Sequence, residues 1–119
     1  MCVVTKNDPK IYLKIAQALE DDILSGLIRE DELVPSANQY AEFYQINPAT
    51  AAKGVSILLR DGILYKKRGV GLYVAQGARD RVQEGRRASF REDYVVPMIA
   101  EAHKIGLSKR DLIAMITAE

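Results

Sequence analysis

Residues 46–76, INPATAAKGVSILLRDGILYKKRGVGLYVAQ, decide the fold of this chain. Asn47-Pro48 is typical of a helix start, because an asparagine cap is followed by proline at the first helical position. Asp61-Gly62 ends this helix, and a short basic hairpin follows. A helix that fits a DNA major groove, followed by a cationic hairpin, is the pattern of a winged helix-turn-helix.

The hairpin is predicted as two short strands around a turn. The strands, at 63–65 and 72–74, are rich in aromatic and branched residues, and the turn covers 66–71. The glycines of this turn allow close approach of the backbone to another molecule, and its three cations attract phosphate. The alternative interpretation is an ordinary hairpin that lysines keep soluble.

Two helices are predicted before this stretch. The first runs from a cap at Asp8-Pro9 to Gly26, with apolar residues at helical spacing. The second opens at Ser36, which forms a capping box with Gln39. Only a few residues separate the second helix from the third, as in a helix-turn-helix.

Apolar spacing predicts the buried faces of these elements. Tyr40, Ala41 and Tyr44 of the second helix should face inward. The third helix has one apolar stripe at spacing i, i+4, i+7 and i+8. Its members are Ala51, Val55, Leu58 and Leu59. A short edge strand is predicted at 33–34, so the fold class is mainly α with a small β-hairpin.

The remainder, 77–119, is predicted as a helical tail separate from a DNA-binding domain at 1–76. Its first half is mostly charged, and its second half carries a broad apolar stripe. Pro97 should kink or divide the long helix. Ser108 with Asp111 resembles the cap of a short final helix.

Composition excludes several classes of protein. The 119 residues contain one Cys and one His, too few for a disulfide framework or a structural zinc site. No apolar run is long enough for a transmembrane helix and no secretory signal is visible, so we expect no membrane association. The sequence offers no nucleophile with a partnered base, phosphate loop or carboxylate cluster, so neither an enzyme nor a cofactor is predicted.

Charge is unevenly distributed along the chain. The net charge is +1 overall, but residues 53–91 contain ten basic and three acidic residues, a local net charge of +7. This segment includes the later part of the third helix and the whole hairpin. It is either an unevenly charged solvated surface or a phosphate-binding patch.

On the third helix, the side opposite the apolar stripe is predicted to face DNA. Recognition helices present their early residues to base edges, where Ala49 and Ala52 can contact thymine methyl groups. Thr50 and Lys53 can reach bases or phosphates. No Arg or Gln is placed for a bidentate base contact, so we expect weak direct readout and a large share of backbone and shape recognition. The alternative is an ordinary surface helix.

Ser36 and Asn47 are predicted as helix caps first, a role that is compatible with phosphate binding at helix N-termini. The full set of predicted DNA-binding residues is Ser36, Asn38, Asn47, Ala49, Thr50, Ala52, Lys53, Lys66, Lys67, Arg68, Gly69 and Gly71.

Four motifs over residues 9–76 resemble the GntR family of bacterial transcriptional regulators. They are Ile23-Leu24-Ser25-Gly26, Val34-Pro35-Ser36, Asp61-Gly62-Ile63-Leu64 and Arg68-Gly69-Val70-Gly71-Leu72-Tyr73-Val74. The start Asn47-Pro48-Ala49-Thr50 and the short tail are similar to the YtrA-like subfamily.

The resemblance implies a role for each of these parts. Ser36 would contact phosphate, Thr50 and Lys53 would lie in the recognition helix, and Arg68 and Gly69 would form the wing tip. The tail would be a pair of dimerisation helices. Its predicted dimerisation residues are Phe90, Tyr94, Val95, Met98, Ile99, Ala102, Ile105, Leu112, Ile113 and Ile116.

The chain departs from the family pattern at two places. The family often has Glu-Arg after Pro-Ser, where this chain has Ala37 and Asn38. An early arginine of other recognition helices is Pro48 here. These departures motivate a second hypothesis, a winged-helix protein-interaction module without DNA binding.

The first hypothesis is a homodimeric transcription factor of the bacterial cytoplasm, a repressor that binds a palindromic operator. Its predicted partners are double-stranded DNA and a second copy of itself. The sequence leaves open whether a small-molecule effector exists.

Overall fold

The structure is a computed structural model that describes residues 11–67 and 69–119. Its elements are α1 (Ile11–Ser25), α2 (Ala37–Tyr44), α3 (Pro48–Arg60), β1 (Leu64–Lys67), β2 (Gly71–Val74), α4 (Ala78–Phe90), a π-helical turn (Arg91–Val95), α5 (Val96–Lys104) and α6 (Lys109–Thr117). The predicted fold class, mainly α with a small β-hairpin, is confirmed.

The chain divides into two compact units at a point inside α4. The first unit ends at Gln83 and the second runs from Glu84 to Glu119, whereas the predicted functional division lies at 76/77. The first turns of α4 belong to the first unit, because Ala78 and Val82 are buried in its core. Arg81 Nη1 also donates a 2.9 Å hydrogen bond to the carbonyl of Gly62, just after α3.

α1 is the centre of the first unit. Ile15 and Leu19 are fully buried, and α1 packs against α3. Gly26, with φ +82°, follows the last residue of α1, as the sequence indicates. The predicted cap at Asp8-Pro9 lies outside the described residues.

α2 and α3 form the predicted helix-turn-helix. Ser36 and Gln39 make the capping box of α2, and Tyr40 and Ala41 are buried while Tyr44 is half-buried. α2 ends at Gln45, whose φ of +54° turns the chain toward α3.

The buried stripe of α3 differs from the predicted one at one position. Ala51, Val55 and Leu58 are buried, but Leu59 is 37% exposed, so its predicted burial is wrong. Gly54 is buried instead. The buried positions, at spacing i, i+3, i+4 and i+7, form a face that is rotated around α3 toward Gly54 and away from Leu59.

The hairpin is antiparallel and longer than predicted. Leu64 pairs with Val74, and Lys67 pairs with Gly71. The predicted turn over 66–71 is therefore too long, because both lysines extend β1 with exposed side chains. The predicted edge strand is present as a bridge between Leu33 and Tyr73.

Proline shapes the second unit. Pro97 lacks an N–H and its ring crowds the carbonyl four residues earlier. A π-helical turn precedes this proline, and in it the Val96 N–H donates a hydrogen bond to the carbonyl of Arg91. The kink or division predicted at this proline thus takes the form of a π-helical turn between α4 and α5. Ser108 and Asp111 form the predicted capping box of α6.

Candidate nucleic-acid interface

The early part of α3 exposes the side chains that the sequence assigned to DNA. Asn47, Ala49, Ala52 and Lys53 are exposed, and Thr50 is half-buried. Asn47 Oδ1 accepts a 2.8 Å hydrogen bond from the Ala49 N–H, which fixes the first turn. All of these side chains except that of Lys53 are short, so another molecule could approach the α3 backbone closely.

The start of α2 is a second anion-compatible surface. Ser36 Oγ accepts a 3.1 Å hydrogen bond from the Gln39 N–H, and Gln39 Oε1 accepts a 2.8 Å bond from the Ser36 N–H. Helix geometry leaves the N–H groups of Ala37 and Asn38 without intrahelical partners. The hydroxyl hydrogen of Ser36 can also donate to a phosphate while its lone pair caps the helix.

Lys66 and Lys67, the two described cations of the hairpin, lie on opposite faces of it. Alternation along β1 puts Lys66 on the face of buried Leu64 and puts Lys67 on the opposite face. Lys67 Nζ lies 5.0 Å from the centroid of the Tyr73 ring. Arg68 lies outside the described residues.

Gly69 in the turn and Gly71 at the start of β2 both have a positive φ but differ in their surroundings. Gly69 has φ +68°, and a Cβ there would meet nothing within 4 Å. Gly71 has φ +107°, and a Cβ there would lie 3.2 Å from Leu33 Cδ1. The positive φ therefore favours glycine at both positions. At position 71 a side chain would also crowd Leu33.

Tyrosines that the sequence analysis did not assign to the site support the hairpin. Tyr65 and Tyr73 pair across the strands with ring centroids 5.8 Å apart. The Tyr65 hydroxyl donates a 3.0 Å hydrogen bond to Asp31 Oδ1, and this bond raises the pKa of Tyr65. Strand alternation could have predicted the tyrosine pair, but no local signal indicates Asp31.

A close helix crossing lies behind Lys53 and was also missed. A Cβ on Gly54 would lie 2.6 Å from the carbonyl oxygen of Tyr12 and 2.9 Å from Ile15 Cβ. Lys53 Nζ lies 4.1 Å from the centroid of the Tyr12 ring. A glycine inside a helical pattern is a signal for such close packing.

The second unit carries the residues predicted for dimerisation, mostly as unburied apolar surface. Phe90, Tyr94, Met98, Ile99, Ile105, Ile113 and Ile116 are exposed, Val95 and Leu112 are half-buried, and Ala102 is buried. The rings of Phe90 and Tyr94 lie 5.4 Å apart.

Five of these residues line one groove between α5 and α6, with a volume of about 300 Å³. Its apolar lining is Met98, Ala102, Ile105, Leu107, Leu112, Met115 and Ile116. The sequence analysis missed Leu107 and Met115. Met115 follows Leu112 at helical spacing, so periodicity could have found it.

Two other kinds of site are absent from the described part of the chain. It contains no helix with the length and apolar character needed to cross a membrane. Nor do these residues bring three potential metal ligands of the His, Cys, Asp and Glu types together.

The sequence model of the bacterial regulatory proteins of the gntR family matches residues 11–74, from α1 to the end of β2. The chain belongs to the GntR family. The match covers the helix-turn-helix and the hairpin described above, so the predicted resemblance is confirmed.

Relatives extend this similarity beyond the matched segment. The chain is 28% identical over 107 residues to the transcriptional repressor YtrA of Bacillus subtilis, covering 90% of this chain and 82% of YtrA. A GntR-family transcriptional regulator from Bacteroides thetaiotaomicron is similar in structure, with a TM-score of 0.69 and 30% identity, over 91% of this chain and 94% of that one. Both alignments include the tail as well as the winged helix.

A solved complex with DNA is similar to about half of this chain. The DNA-binding domain of AraR, solved with operator ORR3, matches 54% of this chain and 77% of that chain, with a TM-score of 0.51 and 26% identity. Family membership thus makes this chain a DNA-binding regulator of transcription and not an enzyme.

Proposed function

We propose that this GntR-family chain is a transcriptional repressor of the bacterial cytoplasm that binds a palindromic operator as a homodimer. One observation carries the proposal: the capped, exposed start of α3 and the cationic hairpin belong to the same compact unit. Within this unit, residues 1–76 would form the DNA-binding domain. The tail, 77–119, would join two copies.

In this arrangement α3 enters the major groove by its first turns. Ala49 and Ala52 offer methyl contacts to thymine, and Thr50 offers a hydroxyl to a base or phosphate. Lys53 adds a cation at the edge of this surface. Since these contacts discriminate bases weakly, the deformability of the operator supplies part of the specificity.

Phosphate contacts supply most of the affinity. Ser36 and the free N–H groups of Ala37 and Asn38 bind one phosphate at the start of α2. Lys66, Lys67 and Arg68 bind the backbone beside α3 from the wing. Each phosphate that a cation neutralises releases counterions, so binding weakens steeply with added salt.

Two copies are needed because one α3 reads only one half-site. Recognition helices of a dimer lie about 34–36 Å apart, one helical turn of DNA. The second unit has suitable contact surface, since its exposed apolar residues include Ile113, 64% exposed, and Tyr94, 63% exposed. The relative YtrA, a transcriptional repressor, aligns through this tail.

Selection from random duplexes tests the DNA proposal. We expect the full chain to enrich an inverted repeat whose half-sites are about one helical turn apart. A protein-interaction module would enrich no sequence, and an enriched motif without internal symmetry would contradict the palindromic dimer.

The wing is tested with the double variant Lys67→Ala/Arg68→Ala. Each lost phosphate contact should lower the slope of log affinity against log salt by about 0.9, so we expect a slope smaller by about 1.8. The control, Lys104→Ala/Lys109→Ala, removes the same charge from the tail. An unchanged slope in the wing variant would show that the wing does not contact phosphates.

Dimerisation is tested by placing a charge on the apolar surface. Ile113→Glu should give a monomer by light scattering, because a buried unpaired carboxylate opposes association. Lys104→Gln changes the net charge by the same amount but leaves the predicted dimerisation residues intact, so this variant should remain dimeric. A wild-type chain that is monomeric at all concentrations would refute the homodimer.

A further inference from the structure

We propose that Tyr12 is a positioning residue that holds the Lys53 ammonium in place for contact with DNA. This inference rests on the proposed function. Lys53 Nζ lies 4.1 Å from the centroid of the Tyr12 ring, well within the range of a cation–π interaction. Tyr12 is half-buried on α1, and Lys53 is exposed on α3.

Close packing of the two helices fixes this pair. Gly54 follows Lys53, and a Cβ there would lie 2.6 Å from the Tyr12 carbonyl oxygen. The backbone of Tyr12 therefore faces Gly54 while its ring lies under the adjacent lysine. A side chain at position 54 would separate the helices and remove the ring from the reach of the ammonium.

The interaction leaves Lys53 able to bind phosphate. A cation–π contact uses the negative face of the ring and consumes none of the three ammonium N–H donors. A lysine that is already restricted loses less conformational entropy when it binds. We therefore expect Tyr12 to strengthen DNA binding about two- to fivefold, which corresponds to the ordering cost of one flexible side chain that is no longer lost on binding.

The first readout is independent of DNA. In the free wild-type protein, the ring current of Tyr12 should shift the side-chain methylene protons next to Lys53 Nζ upfield in the NMR spectrum. Tyr12→Phe should keep the shift, and Tyr12→Leu should abolish it. An unshifted lysine in the wild type would refute the geometry on which the inference depends.

The second readout is a double-mutant cycle on a duplex selected by the wild type. We expect Tyr12→Leu to weaken binding about two- to fivefold and Tyr12→Phe to leave it unchanged. In a Lys53→Met background, Tyr12→Leu should have no further effect. Thermal unfolding of each variant verifies that it is folded at the assay temperature.

Each contrary outcome has a distinct meaning. Equal binding by Tyr12→Leu and wild type would overturn the positioning role while the proposed function stands. If Tyr12→Phe weakens DNA binding as much as Tyr12→Leu does, the effect comes from the hydroxyl and not from the ring. If Tyr12→Leu weakens binding equally with Lys53 and with Met at position 53, the effect comes from a change in the fold and not from the lysine. A wild type that enriches no duplex would overturn the proposed function and this inference with it.

Discussion

The hydroxyl of Tyr65 lies 3.0 Å from Asp31 Oδ1, which ties the hairpin to the connection between α1 and α2. Asp31 holds φ +62°, a conformation that few residues other than glycine, asparagine and aspartate adopt readily. In the same connection, Glu30 Oε1 accepts a 2.8 Å bond from the Gly77 N–H at the start of α4. The proposed wing is thus anchored by residues that precede the helix-turn-helix.

This relationship predicts a pH-dependent change at the hairpin. The hydrogen bond to Asp31 raises the pKa of Tyr65. Because the folded-state pKa exceeds the unfolded one, the bond contributes stability below the unfolded tyrosine pKa and is lost as pH rises through the folded one. Asp31→Gly, which removes the acceptor but suits the positive φ, should lower the pKa of Tyr65.

NMR titration of the Tyr65 ring carbon bonded to oxygen measures this pKa, with Tyr65→Phe to assign the signal. Tyr73, which stacks on Tyr65, provides an internal comparison in the wild type and in Asp31→Gly. The same pKa for Tyr65 with and without the Asp31 carboxylate would contradict the hydrogen bond.

Gly54→Ala should destabilise the protein even though alanine favours helices. The added Cβ would lie 2.6 Å from the Tyr12 carbonyl oxygen, a backbone atom that can move only with α1. We expect a loss of about 1–3 kcal/mol in the free energy of unfolding, as for an overpacked core. Urea denaturation measures this loss.

Gly85→Ala is the matched control for Gly54→Ala. Gly85 also lies inside a helix, but a Cβ there would meet nothing within 4 Å. Gly85→Ala should therefore raise the free energy of unfolding by about 0.5–1 kcal/mol, because alanine favours the helix more than glycine does. If the two substitutions change stability in the same direction, the tight crossing of α1 and α3 is not what requires glycine at position 54.

Tyr40→Phe should raise the thermal midpoint or leave it unchanged. The Tyr40 hydroxyl is buried and has no hydrogen-bond partner among the described residues, and burial raises its pKa. Deleting a hydroxyl that bonds to nothing removes a desolvation cost of about 1–3 kcal/mol while the ring still fills the core. Calorimetry that shows a clear loss of stability would mean that the hydroxyl is hydrogen-bonded in solution.

Ser108→Ala should weaken α6 by about 1 kcal/mol, because it removes the acceptor of the Asp111 N–H. Loss of helical circular dichroism on heating, compared with wild type, measures the effect. A weakened α6 should also lower the affinity of the proposed dimer. If the Ser108→Ala variant is as helical as the wild type at all temperatures, the capping box does not stabilise the tail.

The same capping box predicts acid sensitivity. Hydrogen bonds from the backbone and side chain of Ser108 hold the pKa of Asp111 below its usual value. A depressed folded-state pKa adds stability above the unfolded value, and this stability is lost as pH falls through the folded one. Asp111→Asn should remove this part of the acid dependence, which carboxyl NMR titration can assign to Asp111.

The sequence by itself determined the local signals of the fold. The caps at Ser36, Asn47 and Ser108 and the helix ends at Gly26 and Gly62 lie where the residues indicate. These features depend on hydrogen bonds and backbone conformations that span only a few residues, so a single stretch of chain contains all the information needed.

Tertiary structure alone decided how the candidate site is supported. The contact of Tyr65 with Asp31 joins residues 34 positions apart, and that of Lys53 with Tyr12 joins two helices across the core. The exposure of Leu59 depended on which face of α3 packs against α1. Such contacts depend on how whole helices and strands are placed relative to one another. Packing of the shared core fixes that placement, and no local sequence pattern specifies it.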